Sequence, residues 1–129
     1  MNNSNSMYSE ILLDYYRHPS NKGKLEKSAA SAKDSNPLCG DELEITLNIE
    51  KGKIKEAKFD GKGCVISQAS MSMLVEYLEG KLVKEALKID KDQVLKMLGV
   101  KLTPIRLKCA LLGLKVTKLA LINYASKND

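Results

Sequence analysis

The chain has 129 residues, 43% of them hydrophobic and 29% charged, with a net charge of +5. That length predicts one domain with enough apolar material for an ordinary core, and no apolar run approaches the ~18 residues of a membrane span. Three cysteines, an odd count with no secretory signal ahead of them, argue against a disulfide framework and for a reducing, cytoplasmic setting.

The positive charge is almost all lysine; Arg17 and Arg106 are the two arginines. The lysines are scattered, and no basic run is interleaved with aromatics. Nucleic acid is therefore not an expected partner, and a lysine-rich solvated surface is the simpler reading. A basic face also suits an acidic protein partner.

In chain order, residues 1–6 are polar and uncharged and read as a disordered N-terminal segment. Tyr8, Ile11, Leu12 and Tyr15 recur at helical spacing and predict a helix over about 7–17. Pro19 and Gly23 end it. His18, at its exit, reads as a cap or surface residue, since a cation is favoured at that end. Residues 19–37 read as loop, with room for one weak strand near 28–35. Leu43, Ile45, Leu47 and Ile49 alternate with polar residues and predict a half-buried strand. Lys51-Gly52 is the turn. The returning strand carries Ile54, Ala57 and Phe59, with Ile54 out of phase, which predicts a bulge near the turn.

Gly61-Lys62-Gly63 leads into Cys64, and a helix follows with Ile66, Ala69, Met73 and Tyr77 on one face and Gly80 as its C-cap. Cys64 thus stands at a helix N-terminus, where the dipole favours a thiolate. Short helices are expected over 82–87 and 93–98, the second begun near Asp90 or Asp92 and stopped at Gly99. Thr103-Pro104 pairs a capping hydroxyl with proline at the first helical position. The helix from 104 to about 125 carries Cys109 in a stripe with Leu112, Val116 and Ala120, and is apolar enough to be largely buried. Helix, strands, then helices is the α+β order: a small antiparallel sheet with helices on one side.

The residues with chemistry are Cys39, Asp41, Cys64 and Cys109. Each has an ordinary structural reading. A lone cysteine is usually core, and an aspartate in a turn often only caps it. No paired Cys-x-x-Cys is present. Position argues for more. Cys39 and Asp41 flank one glycine, so extended or tightly curled backbone lets both side chains reach one ion. Cys39 precedes the first hairpin strand, Cys64 follows the second, and Cys109 lies near the start of a buried helix. Hairpin ends can meet the end of a helix packed on the hairpin. Three thiolates and a carboxylate make four ligands, the number a tetrahedral zinc or a two-iron cluster asks of a protein. Arg106 and Lys108 are the charges nearest Cys109 in the sequence.

Asn36-Pro37-Leu38-Cys39-Gly40-Asp41, Gly61-Lys62-Gly63-Cys64-Val65-Ile66-Ser67-Gln68-Ala69-Ser70 and Pro104-Ile105-Arg106-Leu107-Lys108-Cys109 resemble the three signature segments of the iron–sulfur cluster assembly scaffolds, the NifU/IscU/SufU-like family. The Tyr8-Ser9-Glu10 helix and the stretch from Tyr15 to Gly23 are also similar. The resemblance implies an IscU/SufU-like fold over residues 7–126, a three-stranded antiparallel sheet flanked by helices, with 127–129 as a tail. It implies that Cys39, Asp41, Cys64 and Cys109 hold a transient [2Fe–2S] cluster, and that Zn2+ occupies the same site when iron is lacking. A cysteine desulfurase would deliver sulfur as a persulfide on Cys109 or Cys39, an iron donor would supply iron, and recipient apo-proteins would take the cluster. The cluster-loaded state would pair two copies of the chain. The reading is of a carrier rather than a turnover enzyme.

A scaffold must hold its cargo without keeping it, so Asp41, a hard oxygen among soft sulfurs, is assigned as the labile ligand. Lys108 is assigned to offset charge at the site and to favour the Cys109 thiolate. Two departures divide the family reading. IscU-type scaffolds carry a ligand histidine where this chain has Lys108; lysine there is the habit of the SufU-type, a zinc-bearing sulfur acceptor. The SufU-type also carries an extra segment between its second and third cysteines, which this chain lacks. The alternative function is therefore a zinc-dependent sulfurtransferase partner of the desulfurase. Thr103 replaces a proline of the IscU-type chaperone-recognition segment, which counts against dependence on an Hsp70-type chaperone.

Overall fold

Leu43, Ile45 and Leu47 have no exposed surface, as expected where apolar and polar residues alternate along a strand with one buried face. The computed structural model that shows this describes residues 3–38 and 40–127, with side chains described from Glu10 onward. Strands β1 (Ala30–Asn36), β2 (Asp41–Glu50) and β3 (Lys53–Lys62) form a three-stranded antiparallel meander with β2 at the centre. Lys51 and Gly52 both take positive φ, 52° and 75°, the turn geometry whose twist matches a tight hairpin. The expected bulge is present. Asn48 pairs with Glu56 but Ile49 with Ile54, so Lys55 is the extra residue. That insertion brings Ile54 onto the core face with Ala57 and Phe59.

Helices α1 (Asn3–Arg17), α2 (Val65–Leu78), α3 (Val83–Ala86), α4 (Lys91–Leu98) and α5 (Pro104–Lys127) complete the α+β arrangement. α1 begins at Asn3, so residues 3–6, read from their composition as disordered, continue the helix. Once a helix is nucleated, each added residue fixes one further hydrogen bond. Within α1, Leu12 is buried while Ile11 is 44% exposed; Tyr8 falls outside the described side chains. α5 runs on to Lys127, past the expected end near 125. α4 starts on Asp90, whose carboxylate accepts the Gln93 N–H at 2.9 Å, and ends at left-handed Gly99, as the sequence predicts.

α2 is buried on two sides. The predicted face supplies Ala69 and, partly buried, Ile66 and Met73, to a small cluster with Leu12, Leu98 and Ala110. The opposite face sends Met71, Leu74, Val75 and Leu78 into the main core against the sheet and α5. A single-face reading misses a helix that serves as the middle layer. Each large side chain so buried contributes about 2 kcal/mol of transfer free energy. The C-cap of α2 is Glu79 rather than Gly80. Gly80, at φ 89°, turns the chain so that its N–H reaches the Ile54 carbonyl at 2.8 Å.

The segment after α1 wraps the sheet. Asn21 and Gly23 bond Phe59 on the free edge of β3, Leu25 N–H bonds Thr46 Oγ1 on β2, and Ala29 N–H bonds the Leu47 carbonyl. This covers an edge that would otherwise be open to pairing. The β1–β2 turn, the end of β3, the start of α2 and the start of α5 all lie at one end of the sheet.

Candidate metal centre

Asp41 opens β2, opposite Asn36 of β1. Between them the turn closes with Leu38 N–H on Asn36 Oδ1 at 3.1 Å and Gly40 N–H on the Asn36 carbonyl at 2.9 Å. Gly40 has φ 71°, a left-handed conformation that explains glycine there. Cys39 lies outside the described residues, so the sequence-predicted ligand set is seen here as three of its four members.

Cys64 is the N-cap of α2. Its Sγ accepts the Ser67 N–H at 3.4 Å, and the Ser67 hydroxyl donates to the Cys64 carbonyl at 3.1 Å. A cysteine followed three residues later by serine is a capping pattern readable in the sequence, though Ser67 carries no role in that reading. The Asp41 carboxylate has no exposed surface. Its Oδ1 accepts the Cys64 N–H at 2.9 Å, and its Oδ2 lies 3.9 Å from Cys64 Sγ. Cys109, on the second turn of α5, is fully buried. One oxygen of Asp41 and the sulfurs of Cys64 and Cys109 lie within 4.8 Å of one another.

That donor set fits a thiophilic metal. Zinc bonds of about 2.0–2.3 Å put tetrahedral donors a little under 4 Å apart, so a small inward movement closes these three on one ion. Two sulfurs and one oxygen suit zinc or iron and not a hard cation such as magnesium.

Two further residues shape the site. A Cβ on Gly63 would strike Asp41 Oδ1 and would lie 2.6 Å from Ser67 Oγ, so the carboxylate occupies the space a side chain would take. Arg106 shares an open cavity of about 590 Å³ with Gly63, Cys64, Thr103 and Ile105. The Cys64 thiolate first, and the Cys109 thiolate less strongly, hold its guanidinium above its usual range through charge and hydrogen bonding. The sequence names Arg106 only as a nearby charge. Its helical offset is the missed signal: three residues before Cys109 is the same face of α5, whereas Lys108 is turned to another. Lys108 is exposed and lines a groove with Asn36, Pro37, Leu111 and Lys115.

The family model described as NifU-like N terminal domain matches residues 7–129. The chain is 38% identical to an iron–sulfur cluster assembly scaffold protein IscU of Thermotoga maritima, over 89% of this chain and 92% of the relative. It is 33% identical to a zinc-dependent sulfurtransferase SufU of Bacillus subtilis, over 88% of each. A crystal structure from Fervidobacterium islandicum, put forward as an iron–sulfur cluster assembly scaffold of the SUF system, superposes with a TM-score of 0.74 at 32% identity, covering 92% of this chain and 98% of that one.

Proposed function

The chain belongs to the NifU-like N-terminal domain family, and from that premise we propose that it is an iron–sulfur cluster assembly scaffold. The observation that carries the proposal is the convergence of Asp41, Cys64 and Cys109 from β2, the α2 cap and α5 on one point. Three elements distant in sequence bring two soft sulfurs and a carboxylate oxygen together beside an open cavity, which suits an inorganic cargo that enters and leaves. Cys39, two residues before Asp41, is the proposed fourth ligand.

In this reading a cysteine desulfurase presents a persulfide. A thiolate of the scaffold attacks its terminal sulfur, the donor S–S bond breaks, and the donor leaves as a thiolate. Cys109 is fully buried, which favours Cys39 as the first acceptor and Cys109 as a ligand. Each transferred sulfur must gain two electrons, from ferrous iron and a thiol or electron-carrier reductant, to become sulfide; two such sulfides and two irons from a donor then form a [2Fe–2S] cargo on Cys39, Asp41, Cys64 and Cys109, with Asp41 the labile member, and the cluster passes to apo-proteins. Arg106 offsets the negative charge of the thiolates, a task the sequence assigned to Lys108. Ile105, 60% exposed, lines the cavity beside Cys64 and offers an apolar contact to a partner; Leu38, 68% exposed, directly precedes Cys39 in the chain. The thiols must stay reduced, which fits the cytoplasm; among the described residues no helix is long and apolar enough to cross a membrane.

Anaerobic reconstitution with ferrous iron, cysteine, a desulfurase and a thiol reductant tests the proposal. A stable visible chromophore at about one cluster per one or two chains is expected, given four protein ligands per two-iron cluster. Its absence, with persulfide transferred and zinc retained, would replace the scaffold by the second reading, a zinc-bound sulfur acceptor. That reading is favoured by one feature, the lysine rather than histidine immediately before Cys109.

A further inference from the structure

Cys64 is held at every polar atom it has, and two of those holds come from one residue. Its N–H is taken by Asp41 Oδ1 at 2.9 Å. Its Sγ accepts the Ser67 N–H at 3.4 Å. Its carbonyl accepts both the Gln68 N–H and the Ser67 hydroxyl, each at 3.1 Å. Ser67 is the third residue of α2, where a capping box would send a glutamate or glutamine side chain back to the cap N–H. Asp41 fills that duty from β2. The Ser67 hydroxyl goes to the carbonyl instead, so its residue grips Cys64 at both backbone and sulfur.

By itself the cap is weak. Thiol sulfur is a poor acceptor, and the strong N-caps are serine, threonine, aspartate and asparagine. A cysteine there needs a second constraint if its sulfur is to keep one direction. Ser67 supplies that constraint sterically as well. It is fully buried, and its Oγ lies 3.8 Å from Cys64 Sγ, while Asp41 Oδ2 lies 3.9 Å from the same sulfur. Ser67 Oγ and Asp41 Oδ1 also share the space above Gly63, where a Cβ would meet both. The hydroxyl thus steadies one candidate ligand through a bond to that ligand's own carbonyl, and borders the other across a glycine.

We propose that Ser67 is a positioning residue of the metal centre. It holds Cys64 Sγ toward Asp41 and Cys109, keeps the Asp41 carboxylate over Gly63, and gives no ligand atom itself. Groups that fix a metal ligand from behind set its direction, and their loss typically costs about 10–100-fold in metal affinity. The inference rests on the reading of the thiols as a metal site. It is the same for zinc and for a two-iron cluster, since Cys64 is a ligand in both.

The test uses the full chain with cobalt(II), whose thiolate charge-transfer absorption reports sulfur–metal geometry, and with zinc, whose affinity is read by chelator competition. Ser67→Ala is expected to lower zinc affinity about tenfold and to shift or broaden the thiolate-to-cobalt absorption. Ser67→Thr, whose hydroxyl can reach the same carbonyl three residues back, is expected to restore both. Thr117→Val is the structural control. It removes another fully buried hydroxyl, which donates to the Gly113 carbonyl at 2.8 Å farther along α5, and is expected to move the denaturation midpoint of the metal-free chain but neither metal readout. Thiolate bands absent from the unaltered chain would remove the metal reading and this inference with it. Bands present there and unchanged in Ser67→Ala would overturn the positioning role alone, as would an equal loss of affinity in Thr117→Val. A folded Ser67→Thr with altered bands would overturn it even if Ser67→Ala failed to fold.

Discussion

The Cys64 N–H donates to Asp41 Oδ1 at 2.9 Å, and this bond ties the start of β2 to the cap of α2. It fixes the carboxylate and orients the thiol beside it. Asp41→Asn keeps an oxygen acceptor for that N–H but loses the charge. It is expected to leave stability within about 0.5 kcal/mol while lowering zinc affinity at least about tenfold. Asp41→Ala leaves the N–H unpaired and is expected to cost about 1–3 kcal/mol as well. Denaturant titration of the metal-free chain and competition with a chromophoric chelator separate the two effects.

Gly63 is confined by that same carboxylate. Gly63→Ala would press its methyl on Asp41 and Ser67, and relief requires moving a ligand. The expected result is a loss of metal affinity larger than the loss of fold stability. Cobalt substitution checks it: the thiolate-to-cobalt absorption should weaken or shift, with the far-ultraviolet circular dichroism of the apo-protein retained.

Arg106 and the two thiolates draw attention to which sulfur is reached first. Persulfide capture from a desulfurase, read by mass spectrometry, is expected to disappear in Cys39→Ser. It is expected to persist in Cys109→Ser, whose parent residue is buried, while stable cluster formation is lost. Capture lost in Cys109→Ser and kept in Cys39→Ser would make Cys109 the acceptor.

Chelation should not unfold the chain. The main core of Leu43, Ile45, Leu47, Phe59, Met71 and Leu74 is closed without Asp41, Cys64 or Cys109. Removing zinc is expected to lower the midpoint of thermal unfolding by the linkage of lost binding and to leave a cooperative transition. Collapse of helical signal on chelation would instead mark a structural zinc domain.

Acid stability has one identifiable contributor joining β1 to α5. Asp34 Oδ2 pairs with Lys115 Nζ at 2.9 Å. The hydrogen bond from Lys115, and next that from the Ser35 N–H, hold the Asp34 carboxyl below its usual value. A folded-state value below the unfolded one gives stability that is present above the unfolded pKa and is lost as pH falls through the folded one. Asp34→Asn is therefore expected to reduce stability at pH 7 and to narrow the gap between neutral and strongly acidic conditions, below about pH 4. Urea midpoints across that range provide the check.

Local signals were enough for much of this protein. The alternation from Leu43 to Ile49, the out-of-phase Ile54, the Asp90 and Thr103 caps and the Gly99 stop each rest on near-neighbour sterics and hydrogen bonding, so the sequence determined the hairpin, its bulge and most helix limits. It also selected Asp41, Cys64 and Cys109, because strand ends and a helix start are positions that chain connectivity brings to one end of a sheet. Other features depended on contacts between elements. The two-sided burial of α2, the coverage of the β3 edge by residues 21–23, and the turning of Arg106 toward Cys64 while Lys108 lines another groove follow from how helices seat on the sheet. The bond from Lys22 Nζ to Gln68 Oε1 joins residues forty-six positions apart. Only the tertiary structure decides such pairings, since their free energy comes from burial and charge that do not exist until the layers close.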